Sequence, residues 1–354
     1  MCRPLVCRLG FAQTPSVKHA ACTPERLRAA ELAIALLSAL PESSGTFRRV
    51  SGTTPRIAGA LRPTTPEVLL MTVQTFGSSL PSMSGAALSP EIIQLKFDHP
   101  ANDDVEYQRR RGLITEVSLR YREGEPVPRV EYTEAEDEVW RTIGQRTDAA
   151  HARFACQRYR DAWAELDLDR DRVPQLADIN AVITPRTGFR MTPVTGFVSP
   201  RSFFGELARG VFLSTQYIRY AKTPLFSPDP DVIHEVIGHA PTLLDPLLAE
   251  LNRRFGRTAI RVDDATLEEV IRMHWFTLET GLAIEDGRPK AYGAAILSSP
   301  QEMEHCITRA TLRPFDIEAI CGTSFEPTVL QDQLFLSESL DYTVATVSAW
   351  LDTL

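Results

Sequence analysis

Two histidines and one distant carboxylate stand out in this chain of 354 residues. His234 and His239 lie in Asp231-Val-Ile-His-Glu-Val-Ile-Gly-His239, and Glu279 lies about forty residues later in His274-Trp-Phe-Thr-Leu-Glu-Thr-Gly-Leu-Ala283. All three sit in apolar runs, where a charged group is costly to bury unless it is paired or bound to a metal. Two neutral imidazoles and one carboxylate make the facial triad of non-haem Fe(II) oxygenases, which leaves coordination positions open for oxygen chemistry. The residue types therefore point to a metal held by His234, His239 and Glu279.

The spacing separates this pattern from a rival. Zinc peptidases carry H-E-x-x-H, with histidines four apart on one helix face and the glutamate as general base. Here Glu235 follows the first histidine, but the second comes at i+5. Five residues at about 100° each leave the two side chains roughly 140° apart on an ideal α-helix. They can share a metal if the helix is bent or ending, and Gly238 and Pro241 flank His239 where such a perturbation is expected. A zinc hydrolase using these histidines is the alternative from a different class. Two buried histidines satisfied by ordinary polar partners are the bland one.

The elements that position these residues read as mostly helical from about residue 90 onward. Thr133 is an N-cap candidate ahead of an acidic first turn running towards Trp140. Helical register is expected over 146–166, 176–183, 202–220, 229–239, 267–282 and 300–308. The segment 189–197, broken by Pro193 and Gly196, reads as loop or strand, and 289–297 as a turn or short strand. The fold class is mainly α (α+β), with a few short strands.

Composition bounds the rest. Hydrophobic content of 43% and charged content of 24% are ordinary for a globular chain, and no apolar run is long enough to span a bilayer. Residues 1–70 hold nine basic and four acidic side chains, out of totals of 38 and 46, so the remainder is clearly acidic. It offers no nucleic-acid stripe. Six cysteines without a C-x-x-C pair read as reduced thiols in a cytoplasmic protein. Residues 1–90, rich in Ser, Thr, Pro and Arg, read as a disordered or non-native extension, with Met71 or Met83 as alternative starts and one helix expected over 23–40.

Several blocks carry a family resemblance. His-Glu-x-x-Gly-His-x-Pro, Trp-Phe-Thr-x-Glu-x-Gly-Leu and Lys290-Ala-Tyr-Gly-Ala-Ala-Ile-Leu-Ser-Ser299 resemble the biopterin-dependent aromatic amino acid hydroxylases, which act on phenylalanine, tyrosine or tryptophan. Val173-Pro-Gln-Leu-Ala-Asp-Ile, Thr187-Gly-Phe-Arg, Thr215-Gln-Tyr-Ile-Arg219 and Pro228-Asp-Pro-Asp231 extend the likeness upstream, in the family's order. The resemblance implies one catalytic domain over 91–354. Its cofactors would be Fe(2+) and tetrahydrobiopterin or a related tetrahydropterin, its substrates O2 and an aromatic L-amino acid.

Position by position, the resemblance makes His234, His239 and Glu279 the iron ligands. Phe203 would stack on the pterin, with Phe197, Val198 and Glu235 around it. Arg219 would clamp the substrate carboxylate through two parallel hydrogen bonds. Ser227, Pro228, Trp275, Thr280, Ser298 and Ser299 would complete the amino acid site, and Ser298 would also orient the first histidine. The chain departs from the pattern at Thr280, where the family usually has Phe, and at His274, where it usually has Tyr. Leu213 and Phe226 replace a histidine and a tyrosine of the animal phenylalanine enzymes. Trp275 favours phenylalanine or tyrosine over tryptophan, so L-phenylalanine is the expected substrate, hydroxylated to tyrosine or to meta-tyrosine. A tryptophan hydroxylase of the same family is the alternative. A monomer is expected, since the animal enzymes' C-terminal tetramerisation helix has no counterpart here.

Overall fold

A computed structural model of the chain describes residues 99–354, except Phe197 and Phe226. The expected helix over 23–40 lies outside these residues. The described part is mainly helical, with short strands. Thr133 starts the helix α2 (Glu134–Phe154), which follows α1 (Val105–Arg120). Its hydroxyl accepts from the Glu136 N–H while the Glu136 carboxylate accepts from the Thr133 N–H, the reciprocal cap read from the sequence. The helical register expected over 146–166 is interrupted. Helix α2 stops at Phe154, and α3 (Gln157–Glu165) begins after a bridge in which the Cys156 N–H donates to the Ala291 carbonyl at 2.9 Å. Helix α4 (Leu176–Thr187) runs past its expected end to Gly188, which takes the left-handed φ of 74° that glycine tolerates.

The segment expected as one helix over 202–220 divides as well. Helix α5 (Pro200–Ala208) stops before the turn at Gly210, and strand β2 (Val211–Ser214) then pairs in parallel with β1 (Arg190–Pro193). A second sheet holds β3 (Leu282–Glu285), β4 (Arg288–Ala291), β5 (Thr311–Pro314) and β6 (Gln333–Ser337) in the order β4-β3-β6-β5. Only β3 and β4 pair antiparallel, as a hairpin turning at Asp286 and Gly287.

The segment with the paired histidines runs through the middle of the core: Val232, Ile233, Val236, Ile237 and Ala240 are all fully buried. It is flanked by α6 (Ala240–Leu244), α7 (Pro246–Ala259) and the short α9 (Ala294–Leu297). Helix α8 (Asp264–His274) leads to Glu279, and α10 (Pro300–Thr308), α11 (Ile317–Cys321) and α12 (Leu340–Thr353) complete the chain. Among the described residues no helix is long and apolar enough to cross a membrane.

One core histidine predicts a pH dependence. Burial pushes the His151 imidazole down to about 4. Between that value and the ordinary 6.5 or so, the unfolded chain binds a proton that the fold refuses, so stability falls as pH drops through this window. At about 1.4 kcal/mol per pKa unit the loss is on the order of 3 kcal/mol. Melting curves between pH 7.5 and 5 should therefore fall more steeply for the wild type than for His151→Gln. Parallel curves would refute the assignment.

Candidate metal centre and pocket

The i+5 histidine spacing is resolved by the backbone. His234–His239 forms one turn of π-helix, closed by an Ala240 N–H to Glu235 carbonyl bond. Bonds from i to i+5 bring residues five apart to neighbouring positions, and such turns are frequent at functional sites. The second ligand segment repeats the device. Trp275–Glu279 is also π-helical, and the Thr280 N–H closes it on the Trp275 carbonyl at 2.8 Å. The bend expected from Gly238 and Pro241 thus takes the form of a wide turn.

His234, His239 and Glu279 converge, with one ligand atom from each lying within 4.8 Å of the others. The Nε2 atoms of the two histidines are 3.0 Å apart. The Glu279 carboxylate is 3.5 Å from the His239 Nε2 and 3.9 Å from the His234 Nε2. The tautomer of His234 follows from its partner. Ser298 Oγ gives its one proton to the Ala295 carbonyl at 3.1 Å, so at 3.0 Å it must accept from the His234 Nδ1–H. The Nε2 lone pair of His234 therefore faces Nε2 of His239. Two nitrogen ligands at about 2.1 Å from one ion, at a right angle, lie about 3.0 Å apart, so this arrangement fits a shared cation.

Electrostatics agree. Burial pushes His234 down to about 4 and His239 well below its ordinary value, which keeps both imidazoles in the neutral, ligating form. Burial pushes the carboxyl of Glu279 up to about 8, and that of Glu235 well above the usual range. A nearby cation would favour a charged carboxylate at Glu279 in such a place. Among the described residues no other His, Cys, Asp or Glu group is close enough to hold a metal.

A cavity of about 190 Å³ opens on the triad. Val198, Phe203 and Glu235 line it, as expected, together with Phe212, Leu213, Thr215 and Tyr217. The Glu235 carboxyl accepts from the Thr215 hydroxyl at 3.3 Å and its N–H at 3.4 Å. Larger clefts of about 560 and 720 Å³ lie elsewhere, the first beside Arg158 and Asp245 and the second beside Arg129 and Asp178, away from the ligand cluster.

Other expected site residues lie outside the lining of this cavity. Arg219 is buried, and its Nε and Nη2 both bond Asp231, at 3.0 and 2.7 Å. One edge of its planar fork is thus held internally. Thr280 is buried, with its hydroxyl donating to the Trp275 carbonyl at 2.8 Å. The indole of Trp275 stacks on Phe325 with ring centres 4.5 Å apart, and its N–H reaches Gln331. Ser227 is half-buried and bonds its hydroxyl to the Asp229 carbonyl; Pro228 is buried. The two serines divide their work: Ser299 caps α10 through the Glu302 N–H, while Ser298 holds His234. Phe197 lies outside the described residues. His274 is buried among Phe203, Phe204 and Phe255, with its Nδ1 at 3.9 Å from Glu279.

Asp231 is the position in this arrangement that motif reading passes over. Its carboxylate accepts from the His234 N–H at 3.2 Å and the Arg219 N–H at 2.7 Å, as well as from the guanidinium. It ties His234 to Arg219. The signal was available in the aspartate three residues before His234, a helix-capping pattern.

The sequence pattern of the biopterin-dependent aromatic amino acid hydroxylases matches this chain over residues 87–354. The chain belongs to that family. Tyrosine 3-monooxygenases are similar: the human protein is 39% identical over 69% of this chain and 47% of its own length. The Bos taurus protein is 37% identical over 69% of this chain and 51% of its own. The chain thus spans about half the length of these relatives. Among solved structures, phenylalanine hydroxylase from Chromobacterium violaceum with bound iron(III) and 7,8-dihydrobiopterin is similar at a TM-score of 0.61 and 25% identity, over 68% of this chain and 91% of that one. The cold-active phenylalanine hydroxylase of Colwellia psychrerythraea 34H gives 0.59 and 25%, over 63% of this chain and 90% of that one.

Proposed function

We propose that residues 91–354 form the catalytic domain of an Fe(II)- and tetrahydropterin-dependent monooxygenase that hydroxylates the ring of L-phenylalanine. The observation that carries this reading is the convergence of His234, His239 and Glu279, with His234 held by Ser298 in the tautomer that presents a lone pair. Iron and tetrahydropterin, when bound, supply the electrons and the oxygen activation; the protein supplies ligands, orientation and a dry site. His234, His239 and Glu279 hold the metal from one side. Phe203 offers a ring face to the pterin, and Glu235, braced by Thr215, offers it a carboxyl whose ionisation burial disfavours. Phe212, Leu213 and Val198 exclude water from the same cavity.

Arg219 is assigned to the amino acid carboxylate and Trp275 to its ring, with Ser227, Pro228, Thr280, Ser298 and Ser299 shaping that site. Arg219→Lys tests the first assignment. Lysine lacks the fork that bonds Asp231 and a carboxylate at once, so KM for the amino acid should rise about 10-fold or more with a smaller change in kcat. An unchanged KM would remove Arg219 from substrate binding. The protein is read as a cytoplasmic monomer.

The test is anaerobic loading with Fe(II), followed by oxygen-coupled turnover with tetrahydropterin and L-phenylalanine, L-tyrosine or L-tryptophan. Pterin-dependent tyrosine or meta-tyrosine from phenylalanine is expected. Turnover of tyrosine or tryptophan instead would correct the substrate and keep the chemistry. Zinc-dependent hydrolysis without pterin dependence would overturn the reading.

A further inference from the structure

Tyr159 and His151 are 2% and 3% exposed and take no part in lining the metal pocket. The Tyr159 hydroxyl donates to the Ile237 carbonyl at 2.7 Å. Ile237 sits inside the first π-turn, between His234 and His239. In α-helical register its carbonyl would receive the N–H of the residue four later, but that residue is Pro241, which has none. The tyrosine hydroxyl therefore fills a bond that the sequence has removed.

His151 acts on the other support of His234. Its Nε2 lies 2.8 Å from the Leu297 carbonyl and 3.3 Å from the Tyr159 hydroxyl oxygen. The carbonyl can only accept, and the hydroxyl has already given its proton to Ile237, so the His151 proton must be on Nε2. Leu297 is joined directly to Ser298, which takes the Nδ1–H of His234. The pair thus bonds both backbone segments that orient the first ligand, the π-turn and the end of the short helix before Ser298.

We infer that Tyr159 and His151 are positioning residues for the metal centre, fixing the Ile237 and Leu297 carbonyls and through them the angle between the His234 and His239 imidazoles. This rests on the reading of His234, His239 and Glu279 as metal ligands. A general core role would weaken the fold without changing the metal's surroundings, and the two can be told apart. Outer partners of metal ligands typically change metal affinity by about 10–100-fold when removed.

The experiment titrates the full metal-free chain with Co(II) alone, well below its melting temperature, and records affinity and the visible ligand-field bands. Tyr159→Phe is expected to bind Co(II) about 10-fold more weakly, with shifted bands. His151→Leu should do the same, whereas His151→Gln, whose amide can still donate to Leu297, should stay near the wild type. Trp163→Phe is the control. Its ring packs on Tyr159 and His151 without bonding either, so the lost volume should lower Tm and leave Co(II) binding alone. If Tyr159→Phe fails to fold, the two His151 variants decide. Wild-type affinity and bands in Tyr159→Phe and His151→Leu would overturn the inference while the ligand reading stands. A wild type that binds no Co(II) would overturn both.

Discussion

Glu279→Gln is expected to abolish iron retention and turnover while leaving the fold intact. The side chain reaches the two imidazoles from a separate π-turn, so nothing else among the described residues can replace its charge at that point. Glutamine keeps the shape but gives a neutral amide, a poor ligand for a divalent ion that selects imidazole and carboxylate. The drop in Fe(II) affinity should be at least on the order of 100-fold, the upper end of what even outer partners cause. The metal-free protein should not melt earlier, because burial already disfavours the charged form at this position. Iron content after gel filtration, product formation and a melting curve test the three parts together. Full activity in the variant would sink the assignment of the triad.

Gly238→Ala should have the second largest effect, although the residue carries no chemistry. A Cβ on Gly238 would lie 2.6 Å from the Ala294 carbonyl oxygen and 3.1 Å from both the carbonyl carbon and the side chain of the same residue. The first π-turn therefore touches the Ala294–Leu297 helix backbone to backbone, and a methyl group can enter only by pushing that helix away. Overpacking of this kind typically costs about 1–3 kcal/mol, occasionally more. The displaced helix carries Ser298, so the bond that fixes the His234 tautomer should lengthen or break. We expect a Tm lower by several degrees and Fe(II) affinity reduced about 10-fold or more. A variant with wild-type stability and iron binding would show that the contact is slack.

Gly281 and Gly293 form a similar contact beside the second ligand. A Cβ on Gly293 would come within 2.6 Å of the Glu279 carbonyl, and one on Gly281 within 2.3 Å of the Tyr292 ring. The Gly281 carbonyl accepts the N–H groups of Tyr292 and Gly293 at 3.0 and 3.1 Å. The Thr-Gly and Tyr-Gly pairs in the family-like motifs thus have a packing reason. They let the turn bearing Glu279 lie against the segment leading to Ser298.

Residue type and order were enough to single out His234, His239 and Glu279, which the fold brings together. Two histidines and a glutamate in apolar runs are chemically specific wherever the chain puts them, and the surrounding motifs placed them in one family. The Thr133 cap was also legible, because such a cap is a local bond between near neighbours, whereas the helix expected over 176–183 runs on to Thr187 and the Gly188 cap. Periodicity failed where a distant partner decides. The Cys156 N–H leaves its helix for the Ala291 carbonyl, and Val211–Ser214 leaves helical register to pair with Arg190–Pro193. A sequence window cannot see either partner. The spacing of His234 and His239 announced a departure from α-helix, but only the fold showed two π-turns packed on glycine. Tertiary structure also bound one edge of Arg219 to Asp231, gave Ser298 and Ser299 different tasks, and set Tyr159 and His151 against the carbonyls beside the ligands. Donor chemistry belongs to side-chain type and can be read from the sequence. Which donor meets which acceptor depends on chain segments brought together from far apart, and that was settled by packing.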